Sequence, residues 1–194
     1  KNLVEQNRGI KVEFDQEMND PKVYKQWQDG TSVGIFQFES QGMTNFMKEL
    51  KPDCLEDIIA GVSLYRPGPM DQIPRYIANK KDPDNAVYTH ERLKPILNVT
   101  YGCMVYQEQV MQIVRDLAGY SLGRADLVRR AMGKKKLDVM AKEREIFING
   151  QVDDDGNIVV PGCVRNGIDA ESANKIFDEM AEFAKYAFNK SHAA

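Results

Sequence analysis

Apolar side chains recur along this chain mostly at helical spacing. Met43, Phe46, Met47 and Leu50 fall at i, i+3, i+4 and i+7 behind Ser40, which predicts a capped helix with a single buried stripe. Asp20-Pro21 predicts another start, because Asp accepts from the free amides of a first turn and Pro fits there without losing a needed N–H. Val23, Tyr24 and Trp27 then share one face, and Gly30 ends it. Leu55, Ile58, Ile59 and Val62 predict a helix over 52–64, and shorter ones follow at 73–80 and 91–97. The most regular stripe is Tyr106, Val110, Ile113, Val114 and Leu117, closed by Gly119. A short helix carrying Arg129 and Arg130 breaks at Gly133, and Leu137, Met140, Ala141, Phe147 and Ile148 stripe the next. Asp169 caps a last helix in which Ala173, Ile176, Phe177, Met180, Phe183, Ala184 and Ala187 keep helical spacing to the end.

Three stretches depart from that period. Gly34-Ile35-Phe36-Gln37-Phe38 alternates in part and predicts a short strand. Ser63 to Met70 holds Arg66-Pro67-Gly68-Pro69, which predicts a non-helical turn with Arg66 extended ahead of its proline. Asp153-Asp154-Asp155-Gly156-Asn157, followed by Ile158-Val159-Val160, predicts a β-hairpin near 151–162 as a surface excursion. With no internal repeat, the fold class is mainly α with minor β.

Composition sets the limits. The 194 residues are 42% hydrophobic and 28% charged, as in ordinary globular proteins. A chain of this size can bury roughly 70% of its unfolded surface. Three cysteines lie far apart with no CxxC, which argues for a reducing compartment, the cytoplasm by default. Apolar runs fall far short of the ~20 residues that span a bilayer, so no membrane partner is expected. The first residues lack both an initiating Met and a signal core, and the last follow directly on an amphipathic helix. The chain is therefore expected to be cut from a longer one.

Net charge, −3, conceals a strong asymmetry. Residues 124–144 carry eight basic and three acidic side chains, a surplus of five positive charges, whereas 145–184 carry nine acids against Arg165 and Lys175. Several chemistries fail on spacing. The acidic turn places Gln151 and Gly162 where a calcium loop needs its first and last ligands. Gly133-Lys134 lacks the earlier Gly and the Ser or Thr of a phosphate loop, and His90 and His192 assemble no zinc site or triad. Arg129 and Arg130 remain. Asp126 stands three and four residues before them, a pairing worth only about 0.2–0.5 kcal/mol on an exposed helix. One acid cannot neutralise two arginines and Lys134-Lys135-Lys136, so the surplus favours a polyanion.

Five strings taken together carry a family likeness: Gly34-Ile35-Phe36-Gln37-Phe38-Glu39-Ser40, Ser63-Leu64-Tyr65-Arg66-Pro67-Gly68-Pro69, Tyr106-Gln107-Glu108-Gln109-Val110-Met111, Arg129 through Lys136, and Phe188-Asn189-Lys190-Ser191-His192. In order over about 34–194, they resemble the fingers region of the C-family replicative polymerases, the alpha subunits of bacterial DNA polymerase III. The resemblance implies lead-in helices at 1–33 and a multi-helix fingers domain at 34–194. It further implies a parent that adds dNTPs to a primer 3′ end in template-directed synthesis.

By that resemblance Arg129 and Arg130 match an arginine pair beside the triphosphate, with Lys134 adjoining them. Arg66, Asn189, Lys190 and His192 belong to strings that line the nucleotide pocket. Lys135 and Lys136, with Arg124 of the same basic island, are expected on a DNA- or phosphate-facing surface. The family's catalytic carboxylates and their Mg2+ belong to palm motifs that this chain does not contain, so it is expected to be inactive alone and to bind no cofactor. The implied partners are the incoming dNTP, primer-template DNA, the palm and thumb of the same parent, and other replisome subunits. The 151–162 hairpin is an insertion that shorter members lack. From another class of function, a non-catalytic helical module that binds the DNA backbone, or a scaffold, fits the same basic island.

Overall fold

The computed structural model describes residues 1–12, 19–134 and 136–194. Helices dominate. In chain order they are α1 (Asn2–Arg8), α2 (Pro21–Asp29), α3 (Gln41–Leu50), α4 (Leu55–Leu64), α5 (Ile73–Lys81), α6 (Lys94–Leu97), α7 (Gln107–Ala118), α8 (Leu122–Gly133) and α9 (Leu137–Asn149). The hairpin β1 (Gln151–Val152) and β2 (Ile158–Val160) intervenes, and α10 (Gly162–Arg165), α11 (Ala170–Phe183) and α12 (Lys190–Ala193) complete the chain. The strands pair antiparallel, Gln151 with Val160 and Val152 with Ile158, around a bulge.

Local capping chemistry sets several of the boundaries. The Asp20, Ser40 and Asp169 side chains accept from the backbone N–H groups of Lys22, Met43 and Ser172, as their sequence positions require. Ser121 does the same for α8 through Arg124 N–H. Gly30 and Gly119 end α2 and α7 in the left-handed region at φ 74° and 78°.

Two apolar clusters form the interior. One gathers Tyr24, Phe38, Phe46, Leu50, Ile59 and Tyr76 between α2 and α5. The other gathers Val110, Val114, Val128, Phe147, Ile176 and Phe177 among α7, α8, α9 and α11. Tyr106, fully buried in the first cluster, immediately precedes the helix that forms the centre of the second. The mouth of α7 is therefore one place where the two cores meet.

Several expectations need correction. Residues 33–37 form successive turns rather than a strand, with Gln37 at φ 68°. Ser32 Oγ donates to Phe38 O and Glu39 accepts from Gly34 N–H, so polar side chains fold back on a stretch whose alternation looked extended. The helix expected over 52–64 starts only at Leu55, and Ser63 and Leu64 belong to it rather than to the turn that follows. Pro69–Gln72 then forms a 3-10 turn. The helix with the arginine pair is not short but spans 12 residues and includes Gly133. Ala141 is exposed instead of striped inward, and the side chain of Leu137 lies outside the described residues. The last long helix stops at Phe183, after which the chain turns back to pair Phe188 with Tyr106 in a parallel bridge. Among the described residues, no helix is long and apolar enough to cross a membrane.

Candidate functional site

The first turn of α7 gathers three of the side chains singled out from sequence, Lys190 and Arg129 directly and Arg66 through the C-terminal segment. Gln107 N–H donates to Phe188 O at 2.8 Å, which draws the C-terminal segment against the helix start. Lys190 N–H donates to Glu108 Oε2 at 3.2 Å, and its ammonium lies within 2.9 Å of the Glu56 carboxylate and 5.4 Å from the Tyr106 ring centre. Arg66, two residues beyond α4, reaches the same segment. Its Nη2 donates to Tyr186 O at 2.9 Å, its Nε donates to Ser63 O, and its guanidinium stacks 4.5 Å from the Phe188 ring centre.

On the other side of Gln107 stands α8. Arg129 donates from Nε and Nη2 to Asp126 Oδ1 at 3.1 and 2.7 Å, and from Nη1 to Gln107 Oε1 at 3.0 Å. Arg130 makes a single 2.7 Å contact, from Nε to Asp126 Oδ2. Their side chains are 24% and 61% exposed, so one guanidinium is clamped and its neighbour reaches into solvent. Hydrogen bonds from Arg129, with the charge of both arginines, hold the Asp126 carboxyl below the usual carboxylate range.

The remaining expected residues take different places. Lys134 and Lys136 are exposed and, with Leu127, Arg130 and Val139, line a shallow groove of about 280 Å³. Lys135 lies outside the described residues. Arg124 faces inward, donating to Gln151 Oε1 at 2.6 Å, pairing with Glu143 at 3.2 Å and stacking on Tyr120. Asn189 caps α12 by position without a side-chain cap bond, and His192 is exposed, its ring 5.7 Å from that of Phe188. A larger cleft of about 550 Å³ opens between Gly68, Arg75, Met104 and the end of α11. Asp71, Asp178, Glu179 and Glu182 on its walls make it repellent to a polyanion, so size and chemistry point to different cavities.

Sequence reasoning missed two features. Gln107, an uncharged residue inside an apolar stripe, gives no charge signal, yet it touches both Arg129 and the C-terminal segment. Lys80 is the second: its ammonium sits 3.1 Å from Asp53 and 3.0 Å from the buried Asp57. Asp53, Cys54 and Asp57 are close enough together to suggest a metal site. With Lys80 already among these carboxylates, and a thiol in place of a hard oxygen donor, the set does not fit magnesium.

Fold and site together define a helical module that presents guanidinium groups, one clamped and one largely exposed, beside a docked C-terminal turn. Comparison with known proteins narrows this. The family model described as the bacterial DNA polymerase III alpha subunit finger domain matches residues 1–155. The chain is 46% identical to the DNA polymerase III subunit alpha of Thermus aquaticus over 99% of its own length, 47% to that of Rickettsia prowazekii over 96%, and 50% to that of Chlamydia muridarum over 91%. It belongs to the bacterial DNA polymerase III alpha subunit finger-domain family. It covers only 13–15% of the length of these curated relatives.

Proposed function

We propose that this chain forms the nucleotide-binding fingers of a replicative DNA polymerase that adds dNTPs to a primer 3′ end on a DNA template, and that Arg129 and Arg130 meet the triphosphate. The observation that carries this reading is the charge imbalance at α8. Among the described residues, Asp126 is the one carboxylate in salt-bridge contact with either arginine, and it serves both. Two positive charges against one negative leave a surplus on a partly exposed helix face. Guanidinium N–H groups in fixed positions suit phosphate oxygens, and nucleotidyl transfer is promoted mainly by positioning and charge stabilisation. Lys134 extends the same surface, and Arg66, Asn189, Lys190 and His192 lie on or beside the segment that closes the site from the α7 side.

The chain's own work is to bind and orient the nucleotide. Carboxylates outside this chain would hold magnesium, which would supply activation of the primer hydroxyl and charge neutralisation at the leaving group. The primer-template, the palm and thumb of the same chain, and other replisome subunits are the partners of this reading.

Replacing Arg129 or Arg130 by Ala in the full-length parent tests it. The expected result is a loss in kcat/KM for dNTP of at least about tenfold, equivalent to roughly 1.4 kcal/mol, with primer-template affinity and melting temperature little changed. Lys at either position should recover only part, since an ammonium has charge without the planar fork. Unchanged dNTP kinetics in both Ala variants would overturn the reading.

The exposed Lys134 and Lys136 beside Arg130 favour a second reading, in which the module grips the DNA backbone. Salt separates the two. Backbone binding weakens log-linearly with salt and ignores a triphosphate, whereas a fingers site distinguishes dNTP from dNMP.

A further inference from the structure

Arg129 has five N–H donors, and three are committed: Nε and one on Nη2 to Asp126, one on Nη1 to Gln107. One N–H therefore remains on each Nη. Asp126 alone would hold one edge of the guanidinium and leave the plane free to swing about that edge. Gln107 Oε1 supplies the third point that fixes it. Its own backbone N–H is bonded to Phe188 O, so the plane of Arg129 is set relative to the segment that Arg66 stacks on.

The chemistry of the third point is informative. A carboxylate at residue 107 would hold Arg129 as well but would cancel the charge that a phosphate needs. A neutral amide oxygen orients the guanidinium and leaves its charge intact. Among the described residues Arg130, with a single ion-pair contact and 61% exposure, has no such third point.

We propose that Gln107 is a positioning residue for Arg129, presenting the two free Nη N–H groups to a triphosphate in a preset orientation. The proposal rests on the reading of Arg129 as a triphosphate ligand. Orienting the group before the ligand arrives reduces what binding must order.

The test is single-nucleotide incorporation by the full-length parent carrying Gln107→Met, a side chain of similar length with no amide acceptor. Its backbone bond to Phe188 is retained. We expect kcat/KM for dNTP to fall by about threefold to tenfold with little change in melting temperature. The loss should vanish in an Arg129→Ala background and persist in full in an Arg130→Ala background. A damaged helix start would lower activity in both backgrounds alike, and that result would overturn the proposal, as would wild-type kinetics for Gln107→Met. If Arg129→Ala costs tenfold while Gln107→Met costs nothing, only the positioning role falls. If Arg129→Ala itself costs nothing, the triphosphate reading falls and takes this proposal with it.

Discussion

The ring of Tyr186 lies where a side chain on Gly68 would begin: a Cβ built there would meet three ring carbons at 2.5–2.7 Å. Gly68 also holds φ 102° and ψ −72°, a backbone region that L side chains rarely adopt. Tyr186 is tied down in turn, because its carbonyl accepts from Arg66. Gly68→Ala should therefore cost on the order of 1–3 kcal/mol from the backbone alone, with a further loss from displacing the ring. Thermal melting checks this, and adding Tyr186→Ala should return the steric part but not the backbone part. A melting temperature equal to wild type would show that neither the backbone conformation nor the Tyr186 contact requires glycine there.

Arg66 is expected to anchor the C-terminal return more than it binds solvent ions. Arg66→Ala removes a stacking contact on Phe188 and two charge-assisted hydrogen bonds. Amide exchange at Gln107, whose N–H bonds Phe188 O, should speed up markedly in this variant while amides in the middle of α7 stay protected. Uniform protection across α7 in both proteins would contradict the anchoring role.

Lys80 and Asp57 form a nearly dry ion pair, with side chains 11% and 1% exposed. Burial pushes the Asp57 carboxyl up, against the pull of Lys80. Removing only the cation, as in Lys80→Met, leaves a buried carboxylate without its counter-ion and should cost about 3 kcal/mol or more. The double variant Asp57→Asn with Lys80→Met should regain much of that loss. Chemical denaturation of the three proteins decides it, and a Lys80→Met stability matching wild type would refute the dry-pair account.

Asp126 offers a pH handle on the arginine pair. Hydrogen bonding from Arg129, followed by the charge of Arg129 and Arg130, lowers its folded value below that of the unfolded chain, where Asp titrates near ~4. A depressed carboxylate contributes stability above the unfolded value and loses it as pH falls through the folded one. NMR titration of the Asp126 carboxyl should give a midpoint below that of free Asp, shifted upward by Arg129→Ala more than by Arg130→Ala. An equal shift from both variants would mean that Arg129 is not the dominant partner.

How much could be read in advance depended on distance along the chain. Capped starts at Asp20, Ser40 and Asp169 were legible because the acceptor and the free amides lie within three residues of each other. The Asp126 contacts to both arginines were legible for the same reason, being one helical turn apart. The turn at 33–37 was not, since period-two alternation does not register that Ser32 and Glu39 bond the intervening backbone. Nor could periodicity stop the last long helix at Phe183: Ala184 is buried and keeps the spacing, but the chain leaves to reach Tyr106, some 80 residues back, a contact no local pattern encodes. Arg124 looked like part of a solvent-facing basic island until the fold placed Glu143 and Gln151 beside it, 19 and 27 residues away.

Tyr106 belongs to one apolar cluster and Val110 to the other, so the three residues between them form one divide at which the chain passes between the two interiors. Gln107 and Glu108, which bond Phe188 and Lys190, sit on that divide, as does the contact to Arg129. A substitution in this short stretch therefore acts at once on the seam between two interiors and on the contacts to the C-terminal turn and Arg129.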